Sequence, residues 1–155
     1  MRVANDILIP ELARLITEGK EVRFVPSGVS MRPFIEGDRD SVILDGLKRE
    51  PKRGDILLAE VSSPRGNSTY VLHRLVRIEQ EGEEKRYILQ GDGNLNGEEV
   101  CGLDGIIARV VRIEWPDGRR KCLSKGYLWR ALLPVRKWLL KIYRHTILIW
   151  KYENN

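Results

Sequence analysis

The sequence predicts a mainly β domain, curled and partly barrel-like, with a short helix ahead of it and amphipathic helices behind it. Three observations carry this expectation. Between Val22 and Leu123, short stretches rich in β-branched residues alternate apolar with polar positions. Turn-forming clusters interrupt them at close intervals: Gly37-Asp38, Arg53-Gly54-Asp55, Pro64-Arg65-Gly66-Asn67, Glu81-Gly82 and Asp117-Gly118. The two ends of the chain instead space their apolar residues as helices do. The expected organisation is a helix over 1–20, a β domain over 21–125 and a basic helical tail over 126–155.

In chain order, Asn5 or Asp6 caps a helix through Ile7 to Thr17, with Pro10 tolerated in its first turn and Gly19 ending it. Val22–Pro26 reads as a strand leading into a serine-bearing turn. Further strands are expected at Asp40–Leu44, Asp55–Val61, Tyr70–Ile78, Lys85–Gln90, Gly105–Ile113 and Arg120–Leu123. Many short strands with close turns imply a curled sheet. In the tail, Leu128, Ala131, Leu132, Val135, Trp138, Leu139 and Ile142 fall on one helical arc at ~100° per residue, opposite the basic side chains. Pro134 kinks or restarts that helix.

The chain has 155 residues, 32% charged and 42% hydrophobic, which describes one ordinary globular domain and excludes wholesale disorder. Its net charge of +5 resides entirely in the last thirty residues. That tail suits peripheral contact with an anionic membrane surface through 126–152, Trp129, Trp138 and Tyr143 sitting at the interface. Packing of the same apolar face on the β domain is the competing expectation. No nucleic-acid motif accompanies the charge, so nucleic acid is not an expected partner. Cys101 and Cys122 lack metal-ligand spacing, and neither a metal nor an organic cofactor is expected. They read as reduced thiols, or as one disulfide in an exported protein. Met-Arg-Val-Ala-Asn-Asp does not open a signal peptide, and no apolar run approaches ~18 residues. A cytoplasmic protein, tethered by its tail at the inner membrane surface, is the expectation.

Chemistry concentrates in Ser27-Gly28-Val29-Ser30-Met31-Arg32-Pro33. A serine hydroxyl is a poor nucleophile until a base takes its proton and donors meet the developing oxyanion. Gly28 permits a tight turn before Ser30, so the Ser30 amide and the Ser27 hydroxyl are the candidate donors. Only two histidines exist, His73 and His145, and His73 lies on an expected strand. Alternation places it on the apolar face with Val71 and Leu75, where a lone histidine is more often structural. Its company with the serine motif makes it the candidate base. Gln90-Gly91-Asp92-Gly93-Asn94 adds a carboxylate, Asp92.

These segments, in this order, resemble the signal-peptidase and SOS-repressor superfamily of serine peptidases. Ser-Gly-x-Ser-Met followed by Pro33 and Gly37-Asp38 resembles the nucleophile region, and Gly54-Asp55-Ile56-Leu57 the next strand. His73-Arg74-Leu75-Val76 is similar to the His-Arg-Val element of the endoplasmic-reticulum-like enzymes, in which histidine stands for the usual lysine. Gln90 to Asn94 resembles their Lys-Gly-Asp-Asn-Asn block. The similarity covers about Val22 to Ile113, and 43 residues separate Ser30 from His73, a spacing that suits the family.

The resemblance implies a signal-peptidase-like β fold and a serine endopeptidase that cleaves a leader or signal-like peptide from a precursor. Ser30 would be nucleophile and His73 base. The carboxylate that orients the histidine would be Asp92 or, by the family's offset, Glu98, with Asp104 a more distant candidate. Phe24, Val25 and Pro26 would line the groove for an extended substrate. No N-terminal membrane anchor is expected, a departure from the family's pattern. Two alternatives stay open: a self-cleaving regulatory module, and a non-catalytic peptide-binding groove on the same fold.

Overall fold

The computed structural model describes residues 5–62, 66, 68–94 and 96–121, together with 135, 138, 139, 141–143 and 145. Two compact units are present, Met1–Leu123 and Ser124–Asn155. The first opens with helix α1 (Asn5–Thr17) and continues as strands β1 (Val22–Phe24), β2 (Ser41–Asp45), β3 (Ile56–Ser62), β4 (Ser68–Glu81), β5 (Glu84–Gln90), β6 (Glu99–Cys101), β7 (Ile106–Glu114) and β8 (Arg120–Lys121). In the second unit the described residues Val135, Trp138, Leu139, Lys141, Ile142, Tyr143 and His145 are helical. The rest of the expected amphipathic tail, the 63–65 part of the Pro64 turn and Cys122 lie outside the described residues.

The strands form one antiparallel sheet in the order β1-β2-β7-β3-β4-β5-β6, with β8 pairing to β7. The outer strands β1 and β6 do not pair with each other, so the expected partial barrel is an open sheet. It is nevertheless curled, since β6 comes back against β3. Mainly β architecture with a short N-terminal helix is therefore what the chain adopts.

β3 explains how one sheet holds two cores. Successive side chains on a strand point to opposite faces. Ile56 and Leu58 join a core with Ile9, Leu12 and Ile16 of α1, Val42 and Leu44 of β2, and Met31 and Ile35. Leu57, Ala59 and Val61 join the other, with Leu75, Tyr87, Leu89, Cys101 and Ile106 inside the curl. A register shift at Leu58/Ala59 lets β7 send Ile106 into one core and Ala108 into the other. Because α1 seals the first core, the 1–20 segment is part of the β unit.

One expected strand is shorter than the sequence suggests, and one strand is additional. β1 stops at Phe24, where Pro26 has no amide to continue a ladder. β6 is the additional one, because Glu-Val-Cys carries no strand pattern of its own; it forms by pairing with β5 through Tyr87↔Cys101, Ile88↔Val100 and Leu89↔Glu99.

Candidate active site

Ser30 sits on a loop between β1 and β2 that is anchored from several sides. Met31 and Ile35, 5% and 1% exposed, fix it in the first core. The amides of Phe34 and Ile35 both donate to the Met31 carbonyl at 3.0 Å. Buried Asp40 accepts from the Glu36 amide at 2.9 Å and from Arg39 Nε at 2.8 Å, closing the loop onto β2. Gly28 adopts φ +90°, which only glycine takes up without strain. Gly37 lies directly against it: a Cβ there would stand 2.1 Å from the Gly28 carbonyl oxygen. The Asp38 amide donates to the Pro26 carbonyl at 2.8 Å and holds the segment from behind.

The Gly91-Asp92-Gly93 turn braces the same loop. The Gly93 amide donates to the Ser30 carbonyl at 2.7 Å. A Cβ on Gly91 would meet that oxygen at 2.5 Å, and one on Gly93 would meet the Val29 and Arg32 carbonyls at 2.9 and 3.0 Å. Two motifs some sixty residues apart in the chain therefore make one structure.

His73 lies on β4 and is 5% exposed. Its Nδ1 is 2.9 Å from Oε2 of Glu99. An ionised carboxylate only accepts, so Nδ1 is the donor in this contact, and in the neutral ring the lone pair then lies on Nε2. Register explains the pairing. Leu75 pairs with Leu89 and Leu89 with Glu99, so Glu99 shares a face with Leu75 and with His73 two residues before it.

Neither carboxylate expected to orient His73 does so. Glu98 is one residue out of phase and points to the other face, where Arg77 holds it through two hydrogen bonds of 2.8 Å. Asp92 is buried and grips Arg74, at 2.8 Å to Nε and 2.7 Å to Nη2. Arg74, 2% exposed, also donates to the Gly54 carbonyl at 2.8 Å and lies over the Phe34 ring. Asp92 thus ties β4 to the turn that braces Ser30, and Asp104 lies beyond β6, away from His73's contact. The missed residue is Glu99. With β6 carrying no strand pattern of its own, nothing in the sequence separates it from Glu98.

Ser30 and His73 line one cleft of about 170 Å³. Pro26, Ser27 and Gly28 share the wall with Ser30; Tyr70, Val71 and Leu72 continue the wall that carries His73. Of the three residues expected along a substrate groove, only Pro26 lines it. Phe24 packs toward the first core, and Val25 is 49% exposed without lining the cleft. Among the described residues no group of three or more His, Cys, Asp or Glu side chains is placed to hold a metal ion, and no helix is long and apolar enough to cross a membrane.

No family model, curated protein or solved structure matches this chain. The chemistry available to the cleft follows from its own residues: a serine on a rigid, glycine-permitted turn, a buried histidine with a defined tautomer, and a carboxylate behind it.

Proposed function

We propose that the chain is a serine endopeptidase of the signal-peptidase type, acting on a leader or signal-like segment of a precursor protein. The observation that carries this reading is the His73–Glu99 hydrogen bond in the wall of the cleft that also holds Ser30. Nε2 of His73 takes the Ser30 Oγ proton as Oγ attacks the scissile carbonyl carbon. The oxyanion accepts hydrogen bonds from the Ser30 amide and the Ser27 hydroxyl, each donor of this kind worth about 3 kcal/mol of barrier. Collapse breaks the C–N bond, and His73 returns the proton to the leaving amine. Water, deprotonated by the same nitrogen, then releases the acyl group from Ser30.

Strand pairing supports a peptide substrate. The last rung between β4 and β5 is Arg74↔Gln90, whereas β4 continues to Ser68 against β3. Among the described strands, the 68–73 stretch therefore keeps one edge open along the cleft. An extended peptide pairs with such an edge through its main chain and presents alternate side chains to the pocket. At about 170 Å³ the pocket admits small side chains beside the scissile bond. Peripheral contact of 126–152 with anionic lipid belongs to the same proposal and is tested by sedimentation with anionic and neutral liposomes; equal failure to bind both removes it.

The proposal is tested by incubating a diverse peptide library with the wild type and with Ser30→Ala, reading products by mass spectrometry. Cleavage by the wild type alone is expected. Products that persist with Ser30→Ala would reject Ser30 as nucleophile. The open edge of β4 does not itself require a serine, so binding without cleavage by either protein would favour the non-catalytic peptide groove.

A further inference from the structure

A second concavity, of about 1040 Å³, lies in the β unit away from the Ser30 loop. Leu47, Pro51, Tyr87 and Leu103 give it an apolar lining, and Leu103 is 53% exposed. Its charged groups do not balance. Arg49 is occupied by Asp55 through two hydrogen bonds of 2.8 Å, and Lys85 is occupied by Glu50. Glu83, Glu84 and Asp104 remain as lining carboxylates outside those pairs. A chain of net charge +5 thus carries a groove of the opposite sign.

We propose that this groove holds a basic segment, bearing apolar side chains, of the same precursor whose scissile bond enters the Ser30 cleft. Charge complementarity selects lysine- or arginine-rich sequence, and the apolar lining gives its leucine-like side chains a place to be buried. Location ties the groove to the cleft. β6 runs from Glu99, which holds His73, to Cys101, and Gly102 next to it lines the groove. At ~3.3 Å per residue, Gly102 stands about 10 Å along that strand from Glu99. The choice of the precursor as occupant rests on the peptidase reading; the chemistry of the groove does not.

The test uses the full chain with a labelled peptide of alternating lysine and leucine, and a glutamate–leucine counterpart, followed by fluorescence anisotropy. Wild type and Ser30→Ala are expected to bind the basic peptide alike and the acidic one poorly. Glu83→Lys with Glu84→Lys should weaken binding about tenfold or more at low salt, with less effect as salt screens the charges. Leu103→Ser should weaken it at every salt concentration. All three are surface positions, and unchanged thermal unfolding verifies the fold. Equal affinity of wild type and variants, or equal binding of both peptides, overturns the inference. So does self-association that Leu103→Ser abolishes, since a second copy would then occupy the groove. Failure of the wild type to cleave any peptide, with these binding differences intact, would reject the peptidase and leave the groove. Cleavage of a basic precursor peptide with KM unchanged by the charge reversals would do the reverse.

Discussion

Glu99→Gln is the most informative single substitution, because it keeps the size of the side chain while removing the charge that faces His73. In the proposed reaction, the imidazolium formed during proton transfer is stabilised by a carboxylate whose oxygen lies 2.9 Å from Nδ1. Unit charges ~4 Å apart interact by about 4 kcal/mol at an effective dielectric of 20, and by about 1 kcal/mol in water. His73 is 7% and Glu99 27% exposed at the side chain, so the pair lies between these limits, at about 2–3 kcal/mol. At ~1.4 kcal/mol per tenfold, kcat/KM should fall roughly 30- to 150-fold. The assay is hydrolysis of one defined peptide by wild type, Glu99→Gln and Glu98→Gln, with unfolding midpoints measured in parallel. Glu98→Gln is expected to stay within about twofold, since exposed pairs such as Arg77–Glu98 contribute little. Wild-type activity in Glu99→Gln, or equal losses in both variants, would refute the assignment of the orienting carboxylate.

Asp92→Asn leaves Arg74 buried without its charge partner and should cost about 3–5 kcal/mol in urea denaturation; a loss below about 1 kcal/mol would contradict the clamp. Gly37→Ala forces the Gly28 backbone to move and is expected to lower kcat about tenfold or more with KM little changed, a split that a global loss of stability would not produce. Burial, assisted by Asp104, pushes the Cys101 thiol up to about 11, so peptide-resolved alkylation at pH 8 should spare it in the folded protein and modify it on unfolding. The raised value favours the folded state below the ordinary thiol value of 9.0, and this contribution is lost as pH rises toward about 11. Stability measured across that interval should fall more steeply for the wild type than for Cys101→Ala.

The legible parts of the fold were those whose residues declare their surroundings. β3 opens on the apolar run Ile56-Leu57-Leu58-Ala59, buried throughout because both of its faces are covered there, and β7 sets β-branched residues between its arginines; both patterns stand out in sequence. The tight turns announced themselves through glycine. β6 did not, since three residues with no pattern become a strand only when β5 offers an edge. That gap carried over to the site. Glu98 and Glu99 are chemically identical neighbours, and only the register of β6 decides which one faces His73 and which one faces Arg77. Asp92 failed as orienter for a different reason: Arg74, next in sequence to His73, points to the opposite face of β4 and takes the carboxylate for itself. That Ser30, His73 and the Gly91–Gly93 turn lie together was readable because glycine spacing and the scarcity of histidine narrow the choices. Phe24 and Val25 were placed by strand continuation, which Pro26 ends.

The central claim is that Ser30 and His73 act as one unit, and the most direct measurement is kcat/KM on a single peptide for Ser30→Ala, His73→Ala and the double variant. Groups that act together lose their contribution once, so all three are expected to share the same residual rate, on the order of 10⁴- to 10⁶-fold below the wild type. Losses that multiply in the double variant, or near-wild-type turnover in either single variant, would contradict the account.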